Sequence, residues 1–270
     1  MKHRFYLFLI LVLASFISCS GGGGDDGSPN DGPDPNVCLS LQGINTKVIN
    51  GDLCTNPNSP VVRLDLLNAN GQGSICTGSV IGARQVLTAA HCFVIDEVIS
   101  GTVTTPNGQI QINTVFIHPG VGTDGVNLAL FNDVAVAVTD RDLNLQHLGI
   151  VVSKQVEVGD QISIQGFGLD ENGDFGEAKG GVMVVSDVTD NHIFAFFNGD
   201  GQNSCNGDSG GPALLTFLDG DVERVSIVGV VSSGNPATGC GEGDVTLFAN
   251  LQNPEIYGFI QDVVPGVTLF

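Results

Sequence analysis

Short apolar runs of four to eight residues, each closed by glycine or a polar turn, follow one another from Val61 to Val231. Runs of that length are strands rather than helices. Val61–Leu66 alternates as a half-buried strand does, and Ser74–Ile81 and Gln85–Thr88 read as a pair around a short turn. Further runs cover Val134–Val138, Gln155–Val158, Gln161–Gly168, Val182–Val188, Ile193–Phe197 and Val225–Val231. Helical periodicity is confined to the C-terminal end. There Asn253 can cap, Pro254 suits the first turn, and Ile256, Phe259, Ile260 and Val263 recur at helical spacing. The pattern predicts an all-β chain with one terminal helix. With 38 glycines in 270 residues, turns are plentiful, and the length allows one large all-β domain or two small lobes.

The N-terminus reads differently. Lys2 and Arg4 precede an apolar stretch, Phe5 to Ile17, too short for a comfortable membrane span. Residues 1–18 are therefore expected to be a signal peptide, and Phe16-Ile17-Ser18-Cys19 is similar to a bacterial lipoprotein signal with Cys19 as the lipidated residue. The Gly/Asp/Pro-rich run that follows lacks the means to bury a core and suits a tether over 19–47. Beyond Cys19, six cysteines at wide spacing contain no Cys-x-x-Cys pair, which favours disulfides in an exported protein over a metal site. No metal or cofactor is expected. A formal charge of −20 should repel nucleic acid and anionic lipid headgroups, so membrane contact is expected only through a lipid on Cys19.

The chemistry concentrates in Asn203–Pro212, where Ser209 follows Asp208 and sits between Gly207 and Gly210-Gly211. Glycines leave such a hydroxyl open, and the N–H groups of Gly207 and Ser209 can converge on a developing oxyanion. Upstream lie Thr88-Ala-Ala-His91-Cys92 and Asn132-Asp133, the latter an aspartate opening an apolar run. A charge there is costly unless it serves a partner, and His91 is the natural one. His118 and Asp124 compete for the same roles but read as solvated loop residues. The order His91, Asp133, Ser209 opposes an α/β-hydrolase, the esterase class that Gly207-x-Ser209-x-Gly211 alone suggests.

Together these segments resemble the chymotrypsin/trypsin-like serine peptidases over residues 48 to about 264. The resemblance implies two six-stranded antiparallel β-barrels, the first over about 48–155 and the second over about 156–270, in one peptidase domain spanning 48–270. It implies His91, Asp133 and Ser209 as a catalytic triad, Gly207 and Ser209 as the oxyanion hole, and polypeptide substrates cleaved through an acyl-enzyme. It pairs Cys76 with Cys92 and Cys205 with Cys240, which leaves Cys38 for Cys54. Lys47-Val48-Ile49-Asn50-Gly51 is similar to a zymogen activation site, where an activating protease would free the Val48 amino group to pair with Asp208. A monomer is expected, in the periplasm, on the outer membrane or cell surface, or secreted.

The resemblance further implies a specificity pocket with Asn203 on its floor, Thr246 on one wall and Gly234 on the other, beside Ser232 and Ser233, the latter replacing the family's usual tryptophan. This predicts a shallow uncharged pocket for small or medium neutral side chains, with Glu242 or Asp244 able to reverse it. Asp170–Glu177 fails the EF-hand spacing and reads as an acidic surface hairpin. The rival to an enzyme is an inactive binding protein on the same fold. Such proteins usually lack a triad residue or the oxyanion glycine, and neither is missing here.

Overall fold

The computed structural model describes residues 52–53, 58–95, 97–123, 129–170 and 172–270. The leader, Cys19, the tether, Cys38, Lys47, Val48, Cys54 and Asp124 lie outside the described residues. In chain order the first elements are β1 (Asp52–Leu53), β2 (Val61–Asn68), β3 (Gly73–Val80), β4 (Gln85–Thr88), the one-turn helix α1 (His91–Val94), β5 (Val98–Thr105) and β6 (Gly108–Ile117). A short pair, β7 (Gly122–Thr123) with β8 (Leu130–Phe131), precedes β9 (Ala135–Thr139). Strands β2, β3, β4, β9, β6 and β5 close into an antiparallel barrel.

The second half repeats the plan with β10 (Gln161–Gly166), β11 (Lys179–Val188), β12 (His192–Phe196), β13 (Pro212–Asp219), β14 (Val222–Ser233) and β15 (Val245–Asn250). These run β11-β10-β13-β14-β15-β12, and a β11–β12 pairing closes the ring, with β1 added outside on β11. The last helix is α2 (Pro254–Val263), after which Leu269 bridges to Ile150. Two six-stranded antiparallel barrels and a C-terminal helix are the fold.

Alternation explains the barrels. In β2, Leu64 and Leu66 point into the core while Arg63 and Asp65 face outward, where they pair at 3.0 Å. Closure also removes the exposed sheet edges that such short strands would otherwise present. Helix α2 starts as its sequence predicts: Asn253 Oδ1 accepts from the Glu255 N–H at 2.9 Å. Its buried Ile256 and Ile260 share a core with Val134 of the first half and Leu251 of the second, so the helix bridges the two.

Three expectations change. Gln155–Val158 is not a strand; Val156 is buried there, and its N–H donates to Gln252 Oε1 at 2.9 Å instead of to a neighbouring strand. His118 is not a solvated loop residue. It is buried, its Nδ1 accepts the Gly120 N–H at 3.1 Å, Nε2 faces the Glu255 carbonyl at 3.3 Å, and its ring stands edge-on to Phe259. Asp170, placed by its sequence in a surface hairpin, is buried against Lys179. The hydrogen bond from Lys179 and the Asp174 N–H hold its carboxyl well below the usual carboxylate range.

Candidate active site

His91 opens α1 just after β4, and the Cys76–Cys92 disulfide ties that turn to β3. Asp133 precedes β9, the strand paired with β4, so the two residues leave neighbouring strands on one side. Asn132 adopts a left-handed φ of 53°, which turns the chain so that Asp133 faces inward. Asp133 is fully buried, and donors surround it. Oδ1 accepts the His91 backbone N–H at 2.8 Å, and Oδ2 accepts His91 Nδ1–H at 2.7 Å. Ser232 Oγ donates to the same Oδ2 at 2.6 Å.

A carboxylate only accepts, so His91 carries its proton on Nδ1 and presents an Nε2 lone pair. Ser232 reaches Asp133 because β14 bulges against β15 between Val231 and Ser233, and such an irregularity re-aims a side chain. Sequence reasoning placed Ser232 beside the substrate; its bond to Asp133 was not foreseen. His91 and the sulfurs of Cys76 and Cys92 gather within 4.8 Å, but both sulfurs are tied up in the disulfide, so the trio offers no thiolate to a metal.

The serine loop docks between the barrels. The Thr77 N–H of β3 donates to the Ser209 carbonyl at 2.8 Å, and the Cys92 sulfur lies 3.8 Å from that same oxygen. Gly207 and Gly210 hold φ of 98° and 84°, and a Cβ on Gly210 would stand 2.0 Å from Thr88 Oγ1. Only glycine fits that approach. Asp208 turns the other way, into the protein, where it is 2% exposed. Its oxygens accept the Gly168 N–H at 2.8 Å and the Cys205 N–H at 2.9 Å. A Cβ on Gly166 would come within 2.0 Å of Asp208 Oδ1, which explains the spacing Gly166-Phe-Gly168. Burial pushes the Asp208 carboxyl up to about 7, against the two N–H groups and the charge of Lys179.

Beside Ser209 opens a cleft of about 380 Å³, lined by Ser204, Ser232, Ser233, Gly234 and Asp244 among others. The Cys205–Cys240 disulfide frames it. It is not uncharged: Asp244 contributes a carboxylate. Asn203 and Thr246, expected as floor and wall, lie fully buried behind the lining. There Thr246 Oγ1 donates to Asn203 Oδ1 at 2.8 Å, and Asn203 Nδ2 donates to Asp244 Oδ2 at 2.7 Å. Asp244 Oδ1 takes the Asn235 and Val245 N–H groups at 2.7 and 2.8 Å. Glu242 is exposed instead. A second groove of about 560 Å³ is lined by Leu66, Ile75, Phe175 and Gly207 among others.

A family model described as trypsin matches residues 39–254. The chain belongs to the trypsin family. Among its relatives in that family, chymotrypsin-C of Rattus norvegicus is 29% identical over 262 residues, covering 86% of this chain and 90% of the relative. The clotting factor G beta subunit of Tachypleus tridentatus is 25% identical, covering 87% and 86%. The trypsin fold is shared with a solved HL collagenase, at a TM-score of 0.65 and 23% identity over 82% of this chain and all of that one. Family membership makes the chain one of the serine proteases, and the two disulfides among its described residues are those that its sequence resemblance implied.

Proposed function

We propose that the chain is an exported serine endopeptidase. Ser209 Oγ attacks the scissile carbonyl while His91 Nε2 takes its proton. Asp133 holds the imidazole in the Nδ1–H form and stabilises the imidazolium. The N–H groups of Gly207 and Ser209 receive the oxyanion. His91 then hands the proton to the leaving amine, and water releases the acyl group by the same steps. The observation that carries this reading is the buried set of hydrogen bonds from Ser232 and His91 to Asp133, beside the serine loop. An inactive binder would have no need to bury a carboxylate in order to orient a half-buried imidazole. A fluorophosphonate probe should label the processed protein at Ser209, and Ser209→Ala should lower turnover by about 10⁶-fold. A folded, processed protein that neither labels nor hydrolyses peptides would favour the binder.

Asp244 supports a preference for Lys or Arg on the acyl side of the cut bond. Its carboxylate lines the cleft and is satisfied by dipoles alone, so a substrate cation would supply an opposite charge in a desolvated place. An acidic side chain would meet repulsion. Lys47-Val48 then suits the enzyme's own cleft, and one copy can process another without a separate activating protease. Across matched peptide substrates, wild type should favour Lys and Arg over Leu and Glu, and Asp244→Asn should lose that order. The variant, purified alone, should also stay uncut at Lys47. A wild type that prefers Leu would restore the neutral pocket and the need for another activator. Anchoring through Cys19 and a Cys38–Cys54 bridge across the cut site complete the reading, keeping the active domain on its tether after processing.

A further inference from the structure

Thr77 is fully buried in β3, next to Cys76, and touches the serine loop on both sides of Asp208. Its backbone N–H donates to the Ser209 carbonyl at 2.8 Å. Its hydroxyl donates to the Gly207 carbonyl at 2.9 Å and accepts the Phe167 N–H at 3.1 Å. Its own carbonyl accepts the Thr88 hydroxyl at 2.7 Å, on the strand that leads to His91. One first-barrel residue thus grips the carbonyls of Gly207 and Ser209, the two residues whose N–H groups face the oxyanion in the proposed mechanism.

We infer that the Thr77 side chain is a positioning residue for the oxyanion hole, holding Gly207 from the opposite barrel. The inference rests on the peptidase reading. Gly207 has no side chain to restrain it, and its φ of 98° belongs to the left-handed region where glycine moves freely. The backbone bond from Thr77 to Ser209 survives every substitution at 77 except proline, so that residue is anchored in each variant tested below. The Gly207 carbonyl has no such guarantee. The hydroxyl holds the carbonyl end of the 207–208 peptide, whose Asp208 N–H donates to the Cys205 carbonyl at 3.0 Å. Through Phe167 it joins that peptide to the turn that covers Asp208. The Gly207 N–H belongs to the preceding 206–207 peptide, joined to this carbonyl through the Gly207 Cα. Holding the carbonyl therefore fixes the point from which that N–H is presented and narrows its motion before substrate arrives. An oxyanion donor stabilises the transition state in proportion to how little it must reorganise, and it contributes less to ground-state binding.

The test uses Thr77→Val, which keeps the shape and removes the hydroxyl, and Thr77→Ser, which keeps the hydroxyl. On an amide substrate, Thr77→Val should lower kcat about tenfold or more with KM within about twofold. Thr77→Ser should recover most of that loss. A peptide boronate, whose adduct with the serine is tetrahedral, should lose affinity for Thr77→Val by a similar factor, while the matching unreactive peptide should bind as before. If Thr77→Val does not accumulate folded, Thr77→Ala is read in the same way. An active wild type whose hydroxyl-free variants keep kcat, or lose boronate and plain peptide binding equally, overturns the inference and leaves the peptidase reading standing. A wild type that neither labels with fluorophosphonate nor hydrolyses peptides defeats both.

Discussion

Asp133 shows how much one side chain can be asked to do. It accepts two hydrogen bonds from His91 and one from Ser232 in a place without solvent, so its charge is held entirely by those donors. Asp133→Asn would keep the volume but bring an NH₂ group that can face His91 Nδ1 only if that nitrogen gives up its proton. The imidazole would then hold its proton on Nε2, where the lone pair is needed. Turnover should fall about 10⁴-fold with little change in thermal stability, measurable by amide hydrolysis beside a melting curve. A drop under tenfold would remove the tautomer argument. Asp133 was legible because an acid at the head of an apolar run calls for a partner. Asp244 was named only as a candidate, since its loop carries two acids and the sequence cannot say which turns inward. Thr77 gave no signal, for a buried hydroxyl in a strand looks like an ordinary β-branched residue.

At the scale of elements, the sequence carried most of the strands, because alternation and glycine turns are local properties. The failures are non-local. Gln155–Val158 has the composition of a strand, yet Gln252 at the far end of the chain takes the Val156 N–H. His118 looked like a loop residue until α2, more than a hundred residues later, covered it with Phe259 and the Glu255 carbonyl. The helix itself was readable from its cap and its spacing. Asn253→Ala removes the acceptor of the Glu255 N–H and should cost about 1 kcal/mol in urea unfolding. The same change should leave kcat intact, because α2 bridges the barrels away from the cleft. A loss of activity at equal stability would mean that the helix positions the site as well.

At the scale of the whole molecule, the serine loop of the second barrel depends on groups from both barrels and, in the proposed mechanism, on the N-terminus that processing at Lys47 would free. Asp208 makes that dependence measurable. Its carboxyl rises from an ordinary 3.8 to about 7 on folding. Between about pH 4 and 7 the folded chain therefore keeps a proton that the unfolded chain has released, and stability falls as pH rises through that window. Three units correspond to about 4 kcal/mol, fully lost above about pH 7. A Val48 ammonium beside Asp208 would favour its charged form and remove this loss. The comparison is between a Lys47→Gln chain, which cannot be cut there, and the processed chain, each with and without Asp208→Asn. Only the difference made by Asp208→Asn is read, because other carboxyl groups titrate over part of the same range. In the uncut chain, that substitution should relieve a destabilisation that grows from pH 5 to pH 8. In the processed chain it should instead remove a favourable ion pair and cost stability at pH 8. Equal effects of Asp208→Asn in the two chains would show that the freed terminus does not reach Asp208, and processing would then need another way to act on the serine loop.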